Sequence, residues 1–353
     1  MKFLIIGCYG LADGYKAMSN GLRYLGYDVA FFPFFAAQDI LRGGNHIGYN
    51  ITNEIVKAVN GDDLTVPLGQ YINLCNKKAD YIIVWHGVDL CAIYKDIFRD
   101  VKTKATPVKL IQLSWDANPH FQEKLDEYYE DYDYIFSVNP VIVEYLTKKG
   151  YKNIYHFYPA FDEDFSYYKK SPDHECDVSI LLTNLYTHPM WNEKKLCRKK
   201  IIDLIYADES INFHLYGPEK FRELYPRAYK GYIPYNDAHL VFSNSTVNLN
   251  ISPVGDILTR KVGDEEVYYC SERLPQILAC SGLMVCDQNF GEMLKDGEDY
   301  ILLEKEEDII KVIKNAKKNI KKYNKIRNSG KKKGIELFSN VEFGDCISEN
   351  IHE

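Results

Sequence analysis

Ser271-Glu272-Arg273-Leu274-Pro275-Gln276-Ile277-Leu278-Ala279-Cys280-Ser281-Gly282-Leu283-Met284-Val285-Cys286-Asp287 holds the strongest pattern in the chain. Leu274, Ile277 and Leu278 recur at i, i+3 and i+4, which predicts one apolar face of a helix. Ser281-Gly282 ends it, because glycine accepts the left-handed conformation just past a helix C-terminus. Leu283 to Cys286 is an apolar run of strand length, of the kind buried in a parallel sheet. Arg273 and Gln276 fall off the apolar face. A polar pair there is placed to hold a ligand at the carboxyl edge of a sheet.

Working outward, the same alternation of short apolar runs and helices fills both halves of the chain. Phe3 to Ile6, a helix from Gly14 to Leu25 and Val29 to Phe32 make a strand–helix–strand opening, which predicts a parallel sheet. The turn Gly7-Cys8-Tyr9-Gly10 lacks the G-x-G-x-x-G spacing of a dinucleotide site, so it is read as a tight turn or a close pass beside a ligand. Strands over 81–85, 108–113 and 134–138 end at His86, at Trp115-Asp116-Ala117-Asn118-Pro119-His120 and at Asn139-Pro140. Ligands of open α/β sheets bind outside such carboxyl ends. Helices are expected over 54–59 and 141–149 and a mobile loop at 43–46. The acidic, aromatic segment 159–173 reads as a connection.

The second half opens with a strand over 177–182, a helix over 192–207 carrying Arg198, and the strand Phe213 to Tyr216 before Gly217. A short strand follows at Lys230-Gly231-Tyr232-Ile233-Pro234, then a helix over 236–243 and a strand over 247–251. Residues 253–266 are expected to be loop. Asn289 to Leu294 is expected to start a helix, 299–303 a strand and 307–322 an amphipathic helix. Domains are expected at 1–160 and 174–335, with 336–353 packing back toward the first.

At 353 residues the chain is long enough for two domains. A net charge of −7 argues against a whole surface built to bind nucleic acid, while leaving room for a local basic patch. The lysines of 317–333 read as a solvated helix face. Nine cysteines without a CxxC pair argue for a reducing compartment and against structural zinc. The first apolar run is too short for a signal-peptide core or a membrane span, so a cytoplasmic protein is expected.

The Arg273 helix and its turn resemble the sugar-nucleotide helix of GT-B glycosyltransferases, especially CgeB-like proteins and the phage DNA β-glucosyltransferases. In those an Arg-x-x-Glu grips diphosphate and ribose. Here the pattern is Arg273-Leu274-Pro275-Gln276, in which an amide replaces the acid and can still hydrogen-bond a ribose hydroxyl. The resemblance implies an α/β protein of GT-B architecture, two Rossmann-like domains with parallel sheets facing a central cleft. The first domain would bind the acceptor and the second the nucleotide-sugar.

It also implies roles residue by residue. Arg273 would meet the diphosphate, with a helix N-terminus beside it. Arg198 would be a further phosphate ligand; otherwise it belongs to a solvated basic cluster with Lys194, Lys195, Lys199 and Lys200. Gly231-Tyr232-Ile233-Pro234 resembles the Gly-x-Ile-Pro segment whose backbone reads the base, with Gly217 nearby, and Glu266 would touch the donor sugar. Asp116 would be the general base of an inverting displacement, raised by partial burial, with His86 and His120 as rivals and Trp115 and Gly10 on the acceptor side.

The implied donor is a UDP-sugar, with no obligatory cofactor and a divalent metal possible but not required. The acceptor would be a glycan or glycoconjugate, or, second, a hydroxymethylated DNA base. A sugar-nucleotide epimerase of the same fold and a noncatalytic sugar-nucleotide-binding module are the alternatives.

Overall fold

A computed structural model describes residues 1–7, 14–33, 79–85, 108–114, 129–164, 166–182, 185, 196–252, 259–262 and 265–352. The expected helix at 54–59 and loop at 43–46 lie outside these. The chain divides into two units, Met1–Tyr158 with Arg260–Tyr269 and Asn340–Glu353, and Pro159–Thr259 with Cys270–Ser339.

The first unit is built on a sheet of order β2-β1-β3-β4-β5-β6: β1 (Lys2–Gly7), β2 (Asp28–Pro33), β3 (Tyr81–Trp85), β4 (Lys109–Ser114), β5 (Tyr134–Ser137) and β6 (Ile154–His156). Every pairing in it is parallel. That explains the unbroken apolar runs: Leu4-Ile5, Ile82-Ile83-Val84, Leu110-Ile111 and Ile135-Phe136 are all buried, as strands covered on both faces require. Helix α1 (Gly14–Tyr24) follows β1, and α2 (Pro140–Lys148) follows β5. Asn139 caps α2 by accepting from the Val141 amide at 3.0 Å, and Pro140 takes the first helical position.

The helix α9 (Asn340–His352), which the sequence reading passed over, lies against α1. A Cβ on Gly21 would sit 1.9 Å from the Asn340 carbonyl oxygen, and one on Gly344 would sit 2.7 Å from the Gly21 carbonyl carbon. The two backbones meet where neither residue has a side chain. Tyr27 Oη to Ser348 Oγ at 2.6 Å and the Phe157–Phe343 edge contact at 5.3 Å extend the interface.

The second unit carries a sheet of order β14-β13-β10-β7-β8-β9, again parallel throughout. Its strands are β7 (Cys176–Leu181), β8 (Phe213–Tyr216), β9 (Tyr229–Gly231), β10 (Ser245–Asn250), β13 (Met284–Cys286) and β14 (Ile301–Leu302). The helices are α3 (Arg198–Ala207), α4 (Lys220–Leu224), α5 (Ala238–Asn244), α6 (Arg273–Ala279), α7 (Ile309–Lys318) and α8 (Ile320–Phe338).

The turn after α6 works differently from its sequence reading. Ser281, not Gly282, takes the left-handed conformation, at φ +58°. The Ser281 amide donates to Leu278 O at 2.9 Å and the Gly282 amide to Ile277 O at 2.8 Å, a Schellman closure. Gly282 is required by space, since a Cβ there would lie 2.7 Å from Asn248 Nδ2. Nor does α6 keep a polar flank beyond Arg273, because every residue from Leu274 to Cys280 is buried, Gln276 included. Helix α8 covers it, and Gly330 and Gly334 allow the approach. A Cβ on Gly334 would fall 2.6 Å from Leu278 Cβ.

Other expectations are corrected. Residues 253–266 are not all loop, because β11 (Thr259–Val262) and β12 (Glu265–Tyr268) form a two-stranded sheet. Asn289 to Leu294 makes turns rather than a helix. The Asn289 side chain accepts from the Gly291 amide at 3.0 Å and Asp299 accepts from Lys295 at 2.9 Å, local bonds that compete with helical ones. The helix expected over 307–322 breaks at Asn319, and α8 then runs on to Phe338. If the α1–α9 crossing depends on bare backbone, Gly21→Ala should destabilise the protein by about 1–3 kcal/mol. A lowered thermal midpoint measures this, and an unchanged midpoint would show that the crossing opens at little cost.

Candidate functional site

The second sheet reverses its direction of growth between β7 and β10: the chain goes from β7 outward to β8 and β9, then returns to the other side of β7. Carboxyl ends at such a switch point leave a crevice, since the connections on either side depart in opposite directions. Two arginines are anchored there. Arg273 opens α6, and its Nη1 donates to Leu181 O, the last residue of β7, at 2.5 Å. Arg198 opens α3, and its Nε donates to Ile251 O, just past the end of β10, at 3.1 Å, joined by its Nη2. The two guanidinium groups therefore sit on the backbone ends of adjacent strands.

They differ in access. Arg198 is only 4% exposed, whereas Arg273 is half-buried. The basic cluster around Arg198 is not simply solvated. Lys199 pairs with Asp203 at 2.6 Å, and Lys200 pairs with Glu307 at 3.1 Å and with Glu306. Glu306 Oε1 also accepts from the Cys197 amide at 2.5 Å, so a protein carboxylate already occupies the start of α3.

Gln276 lies one turn beyond Arg273, on the same side of α6. It is buried, and its amide has no hydrogen-bond partner among the described residues. The start of α6 is fastened to the sheet by Ser271 Oγ donating to Asn250 Oδ1 at 2.8 Å. The Ser252 amide donates to Asp287 Oδ1 at 2.8 Å, tying the ends of β10 and β13. Sequence reasoning passed over Ser271 and Asn250; their place at a helix start and a strand end was the available signal.

On the other side of β7 the edge continues through β8 and β9. Gly217 donates to Gly231 O at 3.0 Å. A Cβ at Gly217 would lie 2.2 Å from Leu182 O, so only glycine lets the end of β8 pass β7 this closely. Tyr232 is 67% exposed, and Ile233 is half-buried just beyond the edge strand. At roughly 5 Å per strand, β9 lies about 10 Å from the β7 end that holds Arg273.

Thus Arg273, Gln276, Arg198, Gly217, Tyr232 and Ile233 all belong to one edge of one sheet. Glu266 lies in β12, which groups with the first unit. Asp116, Trp115, His86, His120 and Gly10 lie outside the described residues. Among the described residues, no group of three or more His, Cys, Asp or Glu could hold a metal ion, and no helix is long and apolar enough to cross a membrane.

Residues 198–340 match the family model described as glycosyl transferase-like. Among solved structures, an alpha-glucosyltransferase in complex with UDP and a 13-mer DNA containing a HMU base aligns at TM-score 0.63 and 15% identity, over 100% of both chains. Anabaena Alr3699/HepE in complex with UDP and glucose aligns at TM-score 0.65 and 12% identity, over 100% of this chain and 99% of that one. Sucrose-phosphate synthase from Thermosynechococcus elongatus aligns at 0.60 and 9%, over 100% and 98%. The chain has the GT-B fold, and residues 198–340 carry a glycosyl transferase-like sequence pattern. No curated protein matches it in sequence.

His156, at the carboxyl end of β6 in the first unit, went unnoticed in the sequence. Burial lowers its pKa to about 4, against the backbone bonds to Val138 and Tyr268 that raise it. It is neutral near neutral pH, with Nε2 at 3.3 Å from Val138 O and its ring edge-on to Tyr158 at 4.7 Å. Its ordinary value is 6.5, so between that value and about 4 the unfolded chain takes up a proton that the folded protein refuses, and stability falls as pH drops through this window. Thermal midpoints measured across it should fall less steeply for His156→Gln than for wild type, with no difference above it; parallel curves would exclude His156 as the cause.

Proposed function

We propose that this glycosyltransferase takes its sugar from a UDP-linked donor bound at the carboxyl edge of the second sheet. The observation that carries the reading is the pairing of Arg273 and Gln276, one turn apart at the start of α6, with Arg273 reaching the end of β7 at the switch point. Support comes from structures of like fold that hold UDP, one with glucose.

In this reading Arg273 presents a permanently charged, planar group to the diphosphate. Gln276, a buried amide whose bonds are not met among the described residues, takes the ribose hydroxyls. Gly217, Tyr232 and Ile233 frame the base. Arg198, buried on the Ile251 carbonyl, holds the strand end in place and adds positive potential beside the phosphates. Glu266 is assigned to the donor sugar's hydroxyls. No divalent metal is obligatory, because the leaving charge is met by guanidinium groups.

Asp116 is assigned the role of general base. It would accept the proton of an acceptor hydroxyl as that oxygen attacks the anomeric carbon and the UDP oxygen departs, inverting the configuration. His86, Trp115, His120 and Gly10 complete the acceptor side. The acceptor is assigned as a glycan or glycoconjugate, with a modified DNA base as second choice. One observation favours a second reading of the stereochemistry: a structure of like fold is named an alpha-glucosyltransferase. An α-product from an α-linked donor keeps its configuration and needs no separate base.

Arg273→Ala should weaken UDP binding about 10- to 100-fold, the worth of hydrogen bonds to a charged group; calorimetry giving wild-type affinity would remove Arg273 from the site. Asp116→Asn should lower turnover about 10²–10⁴-fold with UDP affinity nearly intact, and the product should carry the inverted anomeric configuration by NMR. A retained configuration with an active Asp116→Asn enzyme would select the second reading.

A further inference from the structure

The outer face of α8 carries a charge pattern that sugar transfer does not use. Between Ile309 and Phe338 there are ten lysines and one arginine against a single glutamate, in a chain whose net charge is −7. Lys314, Lys317 and Lys333 are paired, with Asp208, Asp177 and Glu336 at 2.6, 2.9 and 3.1 Å. Lys321, Lys322, Lys325 and Lys332 are exposed and have no carboxylate within ion-pair distance among the described residues.

Helical geometry aligns these groups. At about 100° per residue, Lys321, Lys325 and Lys332 fall within about 40° of one another along the helix. The buried residues Tyr323, Ile326, Gly330, Gly334 and Phe338 fall on the opposite side, where Gly330 and Gly334 seat the helix on Leu278 of α6. The lysine row therefore faces away from its own unit's core. On its flank stands an isoleucine that nothing covers: Ile335 is 46% exposed and about 60° from the middle of the row. Ile320, 60% exposed, stands at the helix start but about 120° round from the row.

We propose that this face of α8 docks the enzyme on an anionic lipid bilayer. Lysines in a row suit a plane of phosphate groups, each gaining from the surface potential. Ile335 beside the row suits the apolar layer just beneath, which a helix lying in the interface can reach. A nucleic-acid backbone would satisfy the lysines but offers nothing to Ile335, and no aromatic side chain on this face stands ready to stack on a base, since Tyr323 is buried. The inference concerns a surface and does not depend on which sugar or acceptor the active site uses.

Co-sedimentation of the full chain with vesicles tests it. Binding is expected to phosphatidylcholine vesicles containing phosphatidylglycerol and not to phosphatidylcholine alone, and it should weaken as salt rises. The triple variant Lys321→Gln, Lys325→Gln, Lys332→Gln should lose on the order of 100-fold in vesicle affinity, with its thermal midpoint unchanged. Ile335→Ser should bind more weakly than wild type at the same charge, and Ile320→Ser, off this face, should not. Equal binding to neutral vesicles, or full binding by the triple variant, would overturn the proposal. So would a duplex DNA that binds through the same lysines while anionic vesicles do not.

Discussion

The hydrogen bonds from Arg273 to the end of β7 and from Arg198 to the end of β10 hold the second unit's working edge in one arrangement. Strand ends in an open parallel sheet leave carbonyl groups that the ladder cannot satisfy, and burial makes each unmet group costly. Guanidinium groups meet these needs and bring positive charge to the place where two helices begin. In the proposed reading, structure and chemistry draw on the same residues. The arginines complete the backbone of the switch point, and the sheet in turn fixes where their charge stands.

The rest of the unit keeps that edge rigid. Ser271 and Asn250 fasten the start of α6, Gly282 lets the following turn lie against Asn248, and Gly330 and Gly334 bring α8 down onto Leu278. Each contact relies on a small residue or a satisfied polar one. The helix that carries Arg273 is thus held at its start, its end and its back. A polar group so held is pre-organised, which matters for recognising a charged ligand more than the raw number of contacts does.

Much of this was legible in the sequence because parallel sheets leave an unmistakable trace. Strands buried on both faces read as continuous apolar runs, and almost every strand of both units stood within a residue or two of its expected place. What failed were features set by tertiary contact. Asn319 breaks a helix that periodicity continues. Local side-chain bonds from Asn289 and Asp299 prevent a helix that the pattern permits. Helix α9 was passed over although Phe343, Ile347 and Ile351 recur at i, i+4 and i+8 and are buried; what the pattern could not show is the glycine contact that seats it on α1. At the site, Arg273 could be found because it stands in a recognisable spacing. Ser271 and Asn250 offered only their places at a helix start and a strand end, because their importance lies in a bond between residues 21 positions apart. The burial of Gln276 was likewise unreadable, since tertiary contact sets it.

The return of α9 to α1 has a consequence for how the molecule is made. On the ribosome, the strands of the first sheet emerge early, but the face of α1 at Gly21 stays bare until Gly344 has been synthesised. The first unit therefore waits, with part of its apolar surface open to water, while the whole of the second is translated. A nascent chain of this design spends its longest interval on the ribosome in its least protected state, when a chaperone would have most to hold.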